Sequence, residues 1–454
     1  MKEETRENKM GTMPMGKLVA NMSLPLMFSL LAQSLYNIVD SIFVAHLSEE
    51  ALSATAFAFP VQILIISFSV GTAVGVNALV SRSLGAKKQE EANNAATTGL
   101  LLELAAAVLF MLAGLFFAKK LGLWFAGDPE IGAMTGTYLQ ICMCFSVGIF
   151  VETIAQRLLQ ATGRTFLSMV SLVVGAVTNI ILDPIMIFGY LGFPKLGIAG
   201  AAIATVIGQW LGAAVALLLH AFKNPDLHFR FRGYRFSWKQ VGAVYKVGLP
   251  TILTQAMGSI MVSSVNAILK GFDGGTTAVA FFGVYYRLQS FQNMPVSGLG
   301  QAAIPIAGYN YGARNGKRLM ELRKILVITA LTVSVIATII FLVIPGGLLS
   351  LFNASEAMKS IGEPALRIIA LTFPLAAVTT VFGFLVSGLG NGLINMLGTA
   401  IRQFLLLVPC VFLLSRIGLQ YSWYAFWIAE SAACIFAILL TRSEYRKKVS
   451  PICS

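Results

Sequence analysis

Seven charged side chains stand out within the long apolar runs of this 454-residue chain: Asp40, Glu103, Glu152, Asp183, Arg287, Arg402 and Glu430 are the candidates. A charge in hydrocarbon costs about 2.5–3.5 kcal/mol even on lenient insertion scales, so each needs a partner or a purpose. Asp40 follows Tyr36 by one helical turn and Gln33 by two, which puts the three on one face. Asn179 precedes Asp183 by one turn on the same face, and Pro184 follows it. The proline withholds a backbone donor, so a helix is expected to bend or open there. The next apolar segment brings Ala201 and Thr205 to a similar depth, roughly 6–12 Å down at 1.5 Å per residue. Two carboxylates, an amide, a hydroxyl and a backbone carbonyl at one depth offer hard oxygen ligands. Such a set suits a monovalent cation, with Na+ held at Asp40, Asn179, Asp183 and Thr205. Adjacent carboxylates also favour a shared proton. The plainer alternative is helix-end capping and snorkelling at the interface.

Arg402 and Glu430 lie about 15 and 13 residues on either side of a turn near Ile417. An antiparallel helix hairpin would bring them to one depth, and a structural ion pair is expected. A second ion-coupling role for Glu430 is the sharper alternative. Glu152 precedes Gln156 by one turn and is expected near a wet mouth, whereas Glu103 has no evident local partner. The run 276–311 carries Phe281, Tyr285, Tyr286, Arg287, Gln289, Gln292 and Asn293. That mixed face suits a wet cavity whose aromatic rings could hold an organic cation. Interhelical packing is the competing reading for any one of them. Gln33, Tyr36, Gln156, Tyr286, Arg287 and Gln289 are therefore the candidate cavity residues. Pro25 and Pro184 are candidate bending points.

These side chains need elements to carry them. Of the residues, 57% are hydrophobic and only 12% charged, about half the charge of a soluble domain. Twelve runs are apolar enough to span a bilayer: 18–45, 51–82, 94–118, 130–160, 164–190, 197–222, 241–270, 276–311, 318–345, 358–388, 391–415 and 419–442. The net charge of +13 comes from bases clustered in short loops, which points to lipid headgroups rather than nucleic acid. Twenty-four Lys and Arg fall on the side holding both tails and 7 on the other. By the positive-inside rule both termini are cytoplasmic. The first 16 residues read as a cytoplasmic tail rather than a signal peptide.

The chain also repeats itself. Leu24-Pro25 returns as Leu249-Pro250, Leu84-Gly85-Ala86-Lys87 as Tyr311-Gly312-Ala313-Arg314, and Ala161-Thr162-Gly163 as Gly388-Leu389-Gly390. The offsets are 225, 227 and 227. The expected fold is an all-α polytopic membrane protein of 12 transmembrane helices. They should form two six-helix bundles related by a pseudo-two-fold along the membrane normal. The expected boundaries are 1–222, a cytoplasmic linker at 223–240, and 241–454.

The stretch Asn179-Ile180-Ile181-Leu182-Asp183-Pro184, followed by Gly197-Ile198-Ala199-Gly200-Ala201-Ala202, resembles the multidrug and toxic compound extrusion (MATE) family. Pro25, Gln33, Tyr36 and Asp40 look like its DinF-like branch. The resemblance implies an antiporter that exports organic cations and amphipathic drugs by alternating access, driven by H+ or Na+. It assigns ion coupling to Asp40 and Asp183, with Asn179 and Thr205 as companions. It implies no cofactor beyond the coupling ion, and a monomer in the cell membrane of a prokaryote is expected. A flippase for a lipid-linked saccharide is the nearest rival, but the acids of the first half favour cationic cargo. An enzyme would need a nucleophile–base pair or metal ligands inside the helices. His46, His220 and His228 lie at segment ends or in the linker, and the five cysteines lack metal-site spacing.

Overall fold

A computed structural model describes residues 8–232, 234–271, 275–352 and 354–453. The principal helices are α1 (Met15–Leu47), α2 (Glu49–Gly85), α3 (Gln89–Ala126), α4 (Pro129–Cys144), α5 (Val147–Ala161), α6 (Thr165–Phe188), α7 (Ile198–Lys223) and α8 (Trp238–Lys270). There follow α9 (Gly275–Gly312), α10 (Gly316–Val343), α11 (Glu356–Ala370), α12 (Phe373–Gly388), α13 (Gly392–Ser415) and α14 (Tyr424–Lys448). Among the described residues, nine spans are single helices long and apolar enough to cross a bilayer. The fourth and tenth expected runs are instead bent pairs, α4–α5 at 48° and α11–α12 at 51°. The polar α9 supplies the twelfth span by its length of 38 residues.

Local chemistry sets the breaks. Ser48 caps α2 by accepting from the Ala51 amide, and Asp128 caps α4 ahead of Pro129. The sequence repeat is also a conformational one. Lys87 and Arg314 both adopt left-handed backbone, with φ of +57° and +55°. Gly163 and Gly390 do the same at +83° and +81°. A left-handed residue costs a side chain free energy, so its return at equal offset marks a turn built twice.

Two compact units emerge, and their boundaries differ from those expected. Phe28–Ile252 makes up the body of the first; Lys9–Met27 and Leu253–Ser454 form the second. Packing explains the shift. Met15, Leu18, Met22 and Leu26 of α1 join an apolar cluster with Leu299, Ile306 and Leu326. In α8, Val244 packs with Val76, Val80 and Ile154 of the first unit. A Cβ on Gly75 would lie 2.2 Å from the Val244 carbonyl oxygen, so bare glycine backbone permits that approach. Residues 223–240 are not a free linker either. Arg230 pairs with Glu90 at 2.9 Å, Asn94 donates to the Arg235 carbonyl at 2.8 Å, and Arg164 pairs with Asp226. The segment is tied to the start of α3 and belongs to the first unit.

The prolines do not break their helices. α1 runs through Pro25 and α6 through Pro184, ending at Gly189 in left-handed backbone. The sharp bends fall between Cys144 and Val147 and between Ala370 and Phe373.

Candidate functional site

In the first unit, α1, α5, α6 and α7 converge their polar faces. Asp183 is fully buried and Asn179 nearly so. The Asn179 amide donates to Asp183 Oδ1 at 3.2 Å and to Thr205 Oγ1 at 3.3 Å. The Asp40 carboxyl faces that of Asp183. So Asp40, Asn179, Asp183 and Thr205 form one group drawn from three helices. Ala201, one turn before Thr205, sits in the apolar cluster with Val44 and Ile187.

Three buried oxygens of this group, Asp40 Oδ1, Asn179 Oδ1 and Asp183 Oδ2, lack a hydrogen-bond partner among the described residues. An unsatisfied buried acceptor is costly. A proton shared by the carboxylates, or a small cation drawing on the amide and hydroxyl oxygens, would satisfy them. Among the described residues no group of three or more His, Cys, Asp and Glu converges.

The group continues inward along α1. Tyr36 lies beside Gln33 and in electrostatic range of Glu152, Asp40 and Asp183. Gln156 donates to Glu152 Oε1 at 3.0 Å. Glu152, half-buried, therefore lies in electrostatic range of Tyr36 in this group. Glycines make its slot: a Cβ on Gly212 would lie 2.4 Å from Glu152 Oε1, and one on Gly175 3.4 Å away. On another side, Asp40 faces Tyr138 and Cys142, and Gln62 donates to the Tyr138 hydroxyl at 2.9 Å. Sequence reasoning missed Gln62 and Tyr138. The polar residue inside an otherwise apolar α2 run was the available signal. Glu103 is fully buried on α3, with neither carboxylate oxygen partnered among the described residues.

The second unit encloses a cavity of about 140 Å³ whose lining includes Tyr286, Gln289, Arg402 and Glu430. Arg402 Nη1 meets Glu430 Oε1 at 3.4 Å. The pair forms, yet it lines the cavity instead of lying sealed in the core. Arg402 sits in a π-helical turn, Ile401–Leu407, within α13; such turns re-aim side chains and gather at functional sites. Arg287, expected in the cavity, is exposed and does not line it. It stands on α9 beside Tyr286, which faces the cavity, while α9 buries Tyr285 and Leu288.

The long apolar helices, the doubled topology and the buried carboxylates define a polytopic membrane protein. A family model described as MatE matches residues 25–185 and again 250–413, one match for each copy of the repeat. The chain belongs to the MatE family of transporters. It is 25% identical over 432 residues to the multidrug export protein MepA of Staphylococcus aureus (strain MRSA252), covering 94% of this chain and 93% of that protein. The MepA of Staphylococcus haemolyticus (strain JCSC1435) is 24% identical, with the same coverage. Among solved structures, MATE in complex with MaL6 aligns with a TM-score of 0.90 at 25% identity, over 98% of both chains. A MOP superfamily transporter from Pyrococcus furiosus Vc1 (DSM3638), described as having a binding pocket of reverse polarity, aligns at 0.89 and 25% over the same shares.

Proposed function

We propose that this chain is a multidrug efflux antiporter that exports organic cations and amphipathic drugs in exchange for H+ or Na+. The observation that carries the reading is the Asp40–Asp183 pair with its buried, unpartnered oxygens. Two multidrug export relatives of near-equal length support it. In this scheme the ion enters at Asp40 and Asp183, with Asn179 and Thr205 completing its shell. Neutralising the pair changes the balance between two states, which requires the ion to bind them unequally. The response is a bend of α1 at Pro25, where the missing backbone hydrogen bond makes bending cheap. Gln33, Tyr36 and Gln156 are the candidate cargo contacts of the first unit, and Tyr286 and Gln289 line the cavity of the second.

The buried acids favour a cationic cargo over the pyrophosphate of a lipid-linked saccharide. Both termini lie in the cytoplasm of a prokaryotic cell, and the chain works as a monomer among membrane lipids. Drug accumulation in cells producing Asp40→Asn and Asp183→Asn variants tests the coupling. The scheme expects both variants to accumulate drug like cells without the protein; full efflux in both would sink it.

A further inference from the structure

In α10 every charge stands near one end. Residues 325–343 hold none, and at 1.5 Å per residue that run spans about 28 Å. The hydrocarbon core of a bilayer is about 30 Å thick. Arg323 and Lys324, which precede the run, therefore stand at the level of lipid phosphates, with Val327 and Ile328 about one turn inside. These four residues, Glu321 and Phe382 of α12 line an open groove of about 640 Å³. Among the described residues neither Arg323 nor Lys324 forms an ion pair. Arg323 is nonetheless held, because its guanidinium carbon lies 5.0 Å from the ring centroid of the buried Tyr445. That stacking fixes the base without neutralising it. Glu444, next to Tyr445 on α14, is already paired with Lys448 at 3.0 Å. Glu321 is exposed and lies nearest the helix start. The lining thus keeps two bases against one acid at phosphate depth, above an apolar floor.

We propose that this groove binds a diacyl phospholipid with one net negative charge, of the phosphatidylglycerol kind. Its phosphodiester sits between Arg323 and Lys324, and an acyl chain lies along Val327, Ile328 and Phe382. Bases near a membrane surface attract anionic lipid in general. Here one of them is fixed in place, and two helices supply a floor for the chain, so one lipid is retained rather than a diffuse layer. The apolar floor selects a lipid over free phosphate, and Glu321 at the rim disfavours a headgroup carrying a second phosphate. The groove shares no residue with the cavity lined by Arg402 and Glu430. The proposal does not rest on the exporter reading.

The test is native mass spectrometry of the full chain released from nanodiscs. The nanodiscs hold equal parts of palmitoyl-oleoyl phosphatidylglycerol, phosphatidylcholine and phosphatidylethanolamine. The wild-type chain should retain one phosphatidylglycerol about fivefold or more over either zwitterionic lipid, the effect of one basic residue on an anionic lipid. Arg323→Gln with Lys324→Gln should abolish that preference. Arg235→Gln with Lys239→Gln removes two exposed bases from another place in the chain and should leave it intact. If the first double variant does not fold, Lys324→Gln alone carries the test and should lower the preference at least twofold, since this exposed side chain holds no ion pair to lose. Three results would overturn the proposal. They are equal retention of the three lipids by the wild-type chain, a preference for phosphatidylethanolamine, and an equal loss in both double variants. The last would show that net charge, not this groove, recruits the lipid. Retention is measured without transport, so its outcome is independent of ion coupling at Asp40.

Discussion

In the first unit Asp40, Asp183 and Glu152 gather around Tyr36, with amides and a hydroxyl between them and no base. In the second, Glu430 meets Arg402 beside tyrosines and glutamines. The two units repeat the same turns, the same left-handed residues and the same bent helix pair. Backbone geometry is thus held in common while the buried charge diverges. An unpaired acid cluster must find a proton or a cation, and a paired acid need not. That difference is the ground for proposing coupling in the first unit.

The largest effect that could break this comparison is loss of coupling. Asp183→Asn and Asp40→Asn should each cut gradient-driven transport at least tenfold, about 1.4 kcal/mol or more of lost coupling, while the chain still melts near the wild-type temperature. Glu430→Gln should retain gradient-driven transport of a quaternary cation. The reverse pattern would move coupling to the second unit.

Next in size is a stability effect confined to the second unit. Arg402→Ala leaves Glu430 buried and unpaired and should cost about 3 kcal/mol, toward the low end for a broken buried pair because Arg402 is partly exposed. Joint replacement by Arg402→Met and Glu430→Leu should recover most of that loss in thermal unfolding. A smaller effect belongs to the glycine slot. Gly212→Ala places a methyl group 2.4 Å from Glu152 Oε1, and transport should fall several-fold. Gly242→Ala meets nothing within 4 Å and should behave as wild type. Smallest of all, the exposed Arg287→Ala should change stability by no more than about 0.5 kcal/mol and leave uptake unchanged.

Much of this was legible in the residues. Asn179 and Asp183 share a face because i and i+4 always do, and Arg402 and Glu430 meet because a hairpin folds them to one depth. The repeat was legible because short matching strings return at a nearly constant offset. Other features depended on which helix packs where, which spacing along one helix does not encode. Glu152 reaches Tyr36 only because Gly175 and Gly212 let its helix approach. The unit boundary moved into α1 and α8 because each helix packs its two ends on different partners. Arg287 looked like a cavity residue because it stands in the same polar run of α9 as Tyr285, Tyr286 and Gln289, yet it does not line the cavity.

The most direct test of coupling in the first unit is uptake of a fluorescent organic cation into vesicles carrying the purified chain. A pH gradient and a Na+ gradient would be imposed in turn. One of the two gradients should drive uptake by the wild-type chain and by Arg287→Ala, and neither should drive it in Asp40→Asn or Asp183→Asn. Gradient-driven uptake at the wild-type rate in both aspartate variants would contradict the account.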